Sequence, residues 1–249
     1  MTLISPSFSK KGDRGLCNNY RGISLLSVVG KVFADIILQR LHIVAEQVSA
    51  ESHSGYHKGK GTIDGIFILL QGMEKGREHQ NDLHIAFIDF TKAFDCVNRK
   101  LLFIVLEKIG CPVNMINFIK ALYSNVEGKV VVDGEQSEAF NYDGGVKQGW
   151  KLAPTLYGIY AAILPQLSFN NINSSHSVKV RFCYDGNLFD LRRLKAKSKV
   201  KYMYIQEAQY AEDIALFSNS AEGLQDLLLA YNHVSKKWFY RSAYLRLKQ

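Results

Sequence analysis

One stretch restricts the possible folds of this 249-residue chain more than any other: residues 85–95, IAFIDFTKAFD. An apolar run that reads as a buried strand carries Asp89 at its inner end, and Asp95 follows after a short polar break. A carboxylate closing a buried strand costs desolvation energy unless something positive sits against it, so Asp89 implies a bound cation or a strong ion pair. Asp95 lies past the strand end and reads as a turn or helix-capping acid.

A second acidic feature lies more than a hundred residues later. In YIQEAQYAEDIALFSNS, Glu212 and Asp213 stand between apolar pieces, the pattern of a β-hairpin with an acidic tip. If that hairpin and the Asp89 strand pair in one antiparallel sheet, the carboxylates meet and need divalent cations. All-oxygen ligation favours Mg²⁺ or Mn²⁺. Two such ions about 3.5–4 Å apart would activate an attacking hydroxyl and stabilise a leaving pyrophosphate. The same spacing also suits plain turn residues at 212–213 and an ion-paired or capping Asp89.

Composition sets the outer bounds. The chain is 47% hydrophobic and 22% charged, ordinary for a folded domain and long enough for a sizeable core, read as one compact unit that can carry two lobes. Its net charge of +8 makes nucleic acid the first partner to consider. Cys17, Cys96, Cys111 and Cys183 are scattered without metal-ligand spacing and read as reduced thiols of an intracellular protein. The longest purely apolar run, residues 66–70, is far short of a membrane span, and the N-terminus lacks a signal-peptide core.

Along the chain, the first twenty residues read as a basic loop leading into a short strand at NNYRGISLL. Helical spacing predicts helices over 27–48, 63–76 with Thr62 as cap, 99–110 with Asn98 as cap and Gly110 as stop, 113–125, 154–167 and 221–238. A hairpin is expected at GKVVVDGEQSE around Asp133-Gly134, and short β pieces over 178–204 around Asp185-Gly186. Arg192, Arg193, Lys195, Lys197, Lys199 and Lys201 form a basic cluster that usually marks a solvated face. The tail after Trp238 shows no period. The loop ESHSGYHKGKGTID is one residue short of a P-loop between Gly55 and Gly59; it suits a nucleic-acid backbone contact or a plain turn.

Five blocks, YRGISLLSVVGKVFADIILQRL, SGYHKGKGTID, IAFIDFTKAFDCVN, GGVKQGWKLAPTLYGIY and QYAEDIALF, occur in the order and approximate spacing of the reverse transcriptase domain of non-LTR (LINE-like) retrotransposons. The chain resembles that family over residues 10–238. The resemblance implies an α+β right-hand polymerase in a single domain, 1–249: fingers mainly over 1–82, a palm of antiparallel strands backed by helices over 83–238, and an unassigned tail, 239–249. It implies an RNA-directed DNA polymerase, a nucleotidyltransferase acting on dNTPs with a primed RNA or DNA template in the nucleus or cytoplasm.

Carried over residue by residue, Asp89 matches the first metal-binding acid, with the Phe90 carbonyl beside it, and Glu212 and Asp213 match the acidic turn. Phe94 matches the bulky residue under the sugar that excludes a 2′-hydroxyl, or is plain core. Gln148 and Gly149 match the turn against the incoming nucleotide and template. Arg21 matches a fingers residue near the triphosphate, where a planar guanidinium holds phosphate oxygens bidentately. Lys11, Lys58 and Lys60 match template contacts or are surface lysines.

The chain departs from the family at Glu212, where an Asp is expected, and at His57, where Arg is usual. Where the resemblance leads one to expect a thumb the sequence reads KKWFYRSAYLRLKQ, and the expectation is a chain that lacks the thumb and a preceding endonuclease. Moving a metal ligand by one methylene disturbs placement at the scale of about 1 Å on which catalysis depends. The expectation is an impaired polymerase; the alternative is an inactive remnant that only binds nucleic acid.

Overall fold

The computed structural model describes residues 2–9, 20–25, 28–48, 52–56, 59–78, 80–90, 92–124, 127–132, 135–141, 144–170, 172, 177–183, 200–239 and 245–248. In chain order the elements are β1 (Thr2–Ser9), β2 (Tyr20–Leu25), α1 (Val28–Val48), α2 (Thr62–Glu78), β3 (His84–Phe90), α3 (Arg99–Lys108) and α4 (Val113–Tyr123). There follow β4 (Glu127–Val132), β5 (Glu135–Gln136), β6 (Phe140–Asn141), α5 (Leu152–Phe169), β7 (Val178–Cys183), β8 (Val200–Ile205), β9 (Glu207–Tyr210), β10 (Asp213–Ser218), α6 (Ala221–Trp238) and β11 (Leu245–Lys248). They form two compact units, each assembled from separated stretches: Met1–Ser49, Lys92–Ile163 and Lys236–Ala243 make one, and Ala50–Thr91, Leu164–Ser235 and Tyr244–Gln249 the other.

In the first unit β1 lies between β2, antiparallel, and β4, parallel. The sequence predicts a loop here, because Ser and Pro dilute the alternation. The register shifts between Pro6 and Phe8, and such an irregularity is where a strand tolerates a residue that cannot donate. Helix α1 buries Ala34, Ile37, Leu41 and Ala45, one stripe at helical spacing. Asn98 caps α3 by accepting from the Lys100 and Leu101 amides at 3.1 and 3.4 Å. Gly110, at φ 84°, stops it, with Gly110 N donating to Glu107 O and Cys111 N to Leu106 O. Cys96 and Cys111 are buried and not in a disulfide.

The second unit holds a four-stranded sheet in the order β11-β3-β10-β9, antiparallel throughout. The tail, left unassigned from sequence, supplies β11, which pairs with β3; four residues are too few to show a period. Strand β3 alternates: Ala86, Ile88 and Phe90 are buried on one face, where Phe90 meets Tyr231 of α6 at 6.1 Å between ring centroids. On the other face Phe217, Ala215 and Ala208 pack with Ile85 and with Ile68 and Leu69 of α2. Along that face Ile85 is half-buried, Phe87 is 40% exposed and Asp89 is half-buried.

Helix α2 starts at Thr62, so Thr62 is its first residue and not its cap. The Asp64 carboxylate reaches back to accept from Gly61 N at 2.6 Å, which satisfies an otherwise orphaned amide. Helix α5 is apolar on nearly all sides, with Leu152, Leu156, Tyr157, Tyr160 and Leu164 inaccessible to solvent, as befits a core helix. Strands β7 and β8 pair as an antiparallel hairpin, so the expected β pieces are present. The turn residues Asp133-Gly134 and Asp185-Gly186, and the cluster from Arg192 to Lys199, lie outside the described residues. Among the described residues no helix is long and apolar enough to cross a membrane.

Candidate active site

The acidic turn is the loop of the β9–β10 hairpin. Tyr210 pairs with Asp213, leaving Ala211 and Glu212 as a two-residue connection. Ala211 takes φ 55°, the sign a tight hairpin needs at its first central position and one that costs an alanine energy. Its surroundings enforce it. Residues 52–54 run beside β9, with Ser54 N donating to Gln209 O and Gln209 N to Ser52 O, both at 2.9 Å. The Gln209 amide Nε2 donates to Ala211 O at 3.2 Å. Gly55 then presses on the turn so closely that an added Cβ would lie 2.1 Å from Ala211 N. The next residue, Tyr56, at φ 61°, donates its hydroxyl to Glu212 Oε2 at 3.3 Å.

Asp213 sits directly opposite Asp89 across β10 and β3. Such partners share a face with Cβ atoms about 4.5–5.5 Å apart, and two like charges there repel unless a cation lies between them. Asp89 is half-buried and Asp213 exposed at the open end of the sheet. These oxygen-only donors fit a hard divalent cation. Glu212 stands at the tip of the turn with its carboxylate bonded to Tyr56. Among the described residues no three His, Cys, Asp or Glu side chains are grouped closely enough to hold one ion. Of the three expected acids, then, Asp89 and Asp213 are brought together and Glu212 is engaged elsewhere. Phe90 ends β3 with its ring buried against Tyr231.

Phe94, Gln148, Gly149 and Arg21 belong to the other unit. Phe94, half-buried, stacks on Tyr157 at 4.7 Å between centroids. Its turn is closed by Asp95 N donating to Lys92 O, and Asp95 is exposed there, a turn acid as the sequence suggests. The loop carrying Gln148 and Gly149 is tied to this turn: Val146 N donates to Phe94 O at 2.8 Å and Gly145 N to Val97 O at 3.0 Å. Arg99 completes the tie, donating Nε to Gly145 O at 2.7 Å and Nη2 to Gly144 O at 2.8 Å. Gly145, at φ 69°, has no room for a side chain, since a Cβ would come 2.6 Å from Asp95 Cα.

Gln148 is half-buried and Gly149 exposed, while Lys147 between them and this tie is buried. The Lys147 ammonium lies 4.2 Å from the Trp150 ring centroid, and burial, with the nearby Arg99 charge, pushes its pKa down to about 8. Arg21 lies in β2, in register with Phe8. Lys60 is half-buried; Lys11, His57 and Lys58 lie outside the described residues. Sequence reasoning missed Gly55, Tyr56, Arg99 and Gly145, whose partners are backbone or side-chain atoms distant in the chain. The adjacency of Arg99 to a capping Asn and the Gly-Tyr pair were the only signals.

Against known proteins, the profile of the reverse transcriptase (RNA-dependent DNA polymerase) family matches residues 8–243. The RNA-directed DNA polymerase from mobile element jockey of Drosophila funebris is 26% identical over 230 residues, 89% of this chain and 22% of that protein. The transposon TX1 uncharacterized 149 kDa protein of Xenopus laevis is 29% identical over 150 residues, 60% of this chain and 12% of that protein. The chain therefore spans between 12% and 22% of the length of these two relatives.

In fold, telomerase from Candida albicans, solved with a TWJ fragment of telomeric RNA, superposes with a TM-score of 0.63 over 99% of this chain and 40% of that one, at 10% identity. Apo telomerase from Candida tropicalis gives 0.61 over 92% and 46%, at 11% identity. The α+β polymerase fold expected from the sequence is thereby borne out. The profile covers nearly the whole chain, and its relatives are polymerases of mobile elements; the chain belongs to the reverse transcriptase (RNA-dependent DNA polymerase) family, among those of non-LTR retrotransposons.

Proposed function

We propose that this chain is the polymerising part of an RNA-directed DNA polymerase, with the sheet β11-β3-β10-β9, backed by α6, as its palm. The observation that carries the reading is Asp89 facing Asp213 on adjacent strands at the open end of that sheet. Asp89, Asp213 and the Phe90 carbonyl would hold Mg²⁺ or Mn²⁺, with Glu212 in the position of a further ligand. Metal bound there supplies activation of the primer 3′-hydroxyl, which attacks the α-phosphorus of a dNTP, and charge neutralisation as pyrophosphate leaves. Phe94, held flat against Tyr157, limits space beside the sugar. Gln148 and Gly149 meet the nucleotide and template, and Arg21 grips phosphate oxygens. The surplus of positive charge favours a primed RNA or DNA template inside the cell.

A second reading is favoured by one observation: Glu212 bonds to Tyr56, so a remnant that binds nucleic acid without extending it fits the same geometry. Primer extension on poly(rA)–oligo(dT), comparing the chain with Glu212→Asp, separates the two. The polymerase reading expects weak extension that rises at least about tenfold in Glu212→Asp, as restored ligand placement requires. Salt-sensitive template binding with no extension by either chain supports the remnant.

A further inference from the structure

The segment Ser52–Tyr56 does more than pass the acidic turn. Its Gly55 is wedged on Ala211, its backbone ladders onto Gln209, and Tyr56 then adopts φ 61°. A bulky residue in that region is strained and persists only where its surroundings hold it. What the strained geometry achieves is contact between the Tyr56 hydroxyl and Glu212 Oε2 at 3.3 Å. An Asp at this position, one methylene shorter on the same backbone, falls short of that contact. The hydrogen bond is therefore specific to Glu.

We propose that Tyr56 is a positioning residue that latches the Glu212 carboxylate at the turn tip, away from the cation site of Asp89 and Asp213. The inference rests on the reading of those two acids as metal ligands. A charged acceptor held by a neutral phenol gains a modest preference for the latched rotamer, which a divalent ion must overcome to recruit Glu212. The latch also ties Gly55 and Tyr56 to the acidic turn, so a displacement of these two residues alters how many carboxylates the ion finds.

The test uses the full chain and Mn²⁺ as the probe, its binding followed by electron paramagnetic resonance, in a cycle of Tyr56→Phe, Glu212→Asp and the double variant. Phe keeps the ring and the packing. Tyr56→Phe is expected to tighten Mn²⁺ binding about three- to tenfold, and to change nothing in the Glu212→Asp background. Hydrogen exchange of residues 52–56 should quicken in Tyr56→Phe and in Glu212→Asp alike. Unchanged or weaker Mn²⁺ binding in Tyr56→Phe, or the same change in both backgrounds, overturns the latch. Asp89→Asn is the separate control: if it binds Mn²⁺ as the parent chain does, the metal-site reading falls, and the hydrogen-exchange arm still decides whether Tyr56 holds Glu212.

Discussion

The loop that presents Gln148 and the turn that presents Glu212 are secured by opposite means. The first is gripped by a guanidinium whose two closest hydrogen bonds are 2.7 and 2.8 Å, to consecutive carbonyls, so its backbone is fixed by charge-assisted bonds. The second is set by strand register and by the close approach of Gly55, while the side chain at its tip rests on one bond of 3.3 Å. Backbone position is over-determined in both. In the acidic turn the carboxylate itself rests on that single long bond, at the position where the resemblance leads one to expect Asp.

The comparison can be broken from either side. Arg99→Ala leaves the Gly144 and Gly145 carbonyls without their donors and should cost about 2–4 kcal/mol, read from denaturant midpoints. An unchanged midpoint would mean that the Gln148 loop is not held by the guanidinium. Gly55→Ala forces a Cβ against the backbone of the acidic turn and should cost about 1–3 kcal/mol. Hydrogen exchange should then quicken over 209–213 and not over 144–149; a uniform rise would erase the distinction.

The smallest effect sharpens the first region. Lys147 is buried with its pKa lowered to about 8, so at neutral pH the folded chain carries a charge it disfavours. Lys147→Met should therefore raise stability near pH 7 by about 1–2 kcal/mol. Between about pH 8 and its ordinary value of 10.5 the unfolded chain binds more protons than the folded one, so the parent chain gains stability as pH rises. The advantage of Met should shrink across that window, followed by thermal melts at stepped pH.

Much of this was legible in the sequence. Helices α1, α3 and α6 follow from period and caps, and the pairing of the Asp89 strand with the acidic hairpin from their apolar patterns. What escaped is non-local. Strand β1 hides behind Ser and Pro until β2 and β4 flank it, and β11 is a strand only because β3 offers it an edge. Helix α2 begins one residue earlier than Thr62-as-cap implies, with Gly61 just before it donating its amide to the Asp64 carboxylate. Arg99 and Tyr56 look like ordinary polar residues until distant acceptors are brought to them.

The discontinuity of the two units governs how the chain reaches this state. Strand β1 pairs Thr2 with Gly128, and the unit that contains them also draws on Lys236–Ala243. The strand carrying Asp89 needs Asp213 of β10 on one flank and Arg246 of β11 on the other. Neither unit can close its contacts before its third stretch, Lys236–Ala243 in one and Tyr244–Gln249 in the other, has been synthesised. Folding is thus rich in long-range closures, the regime in which rates are slow and half-made sheets are exposed to aggregation.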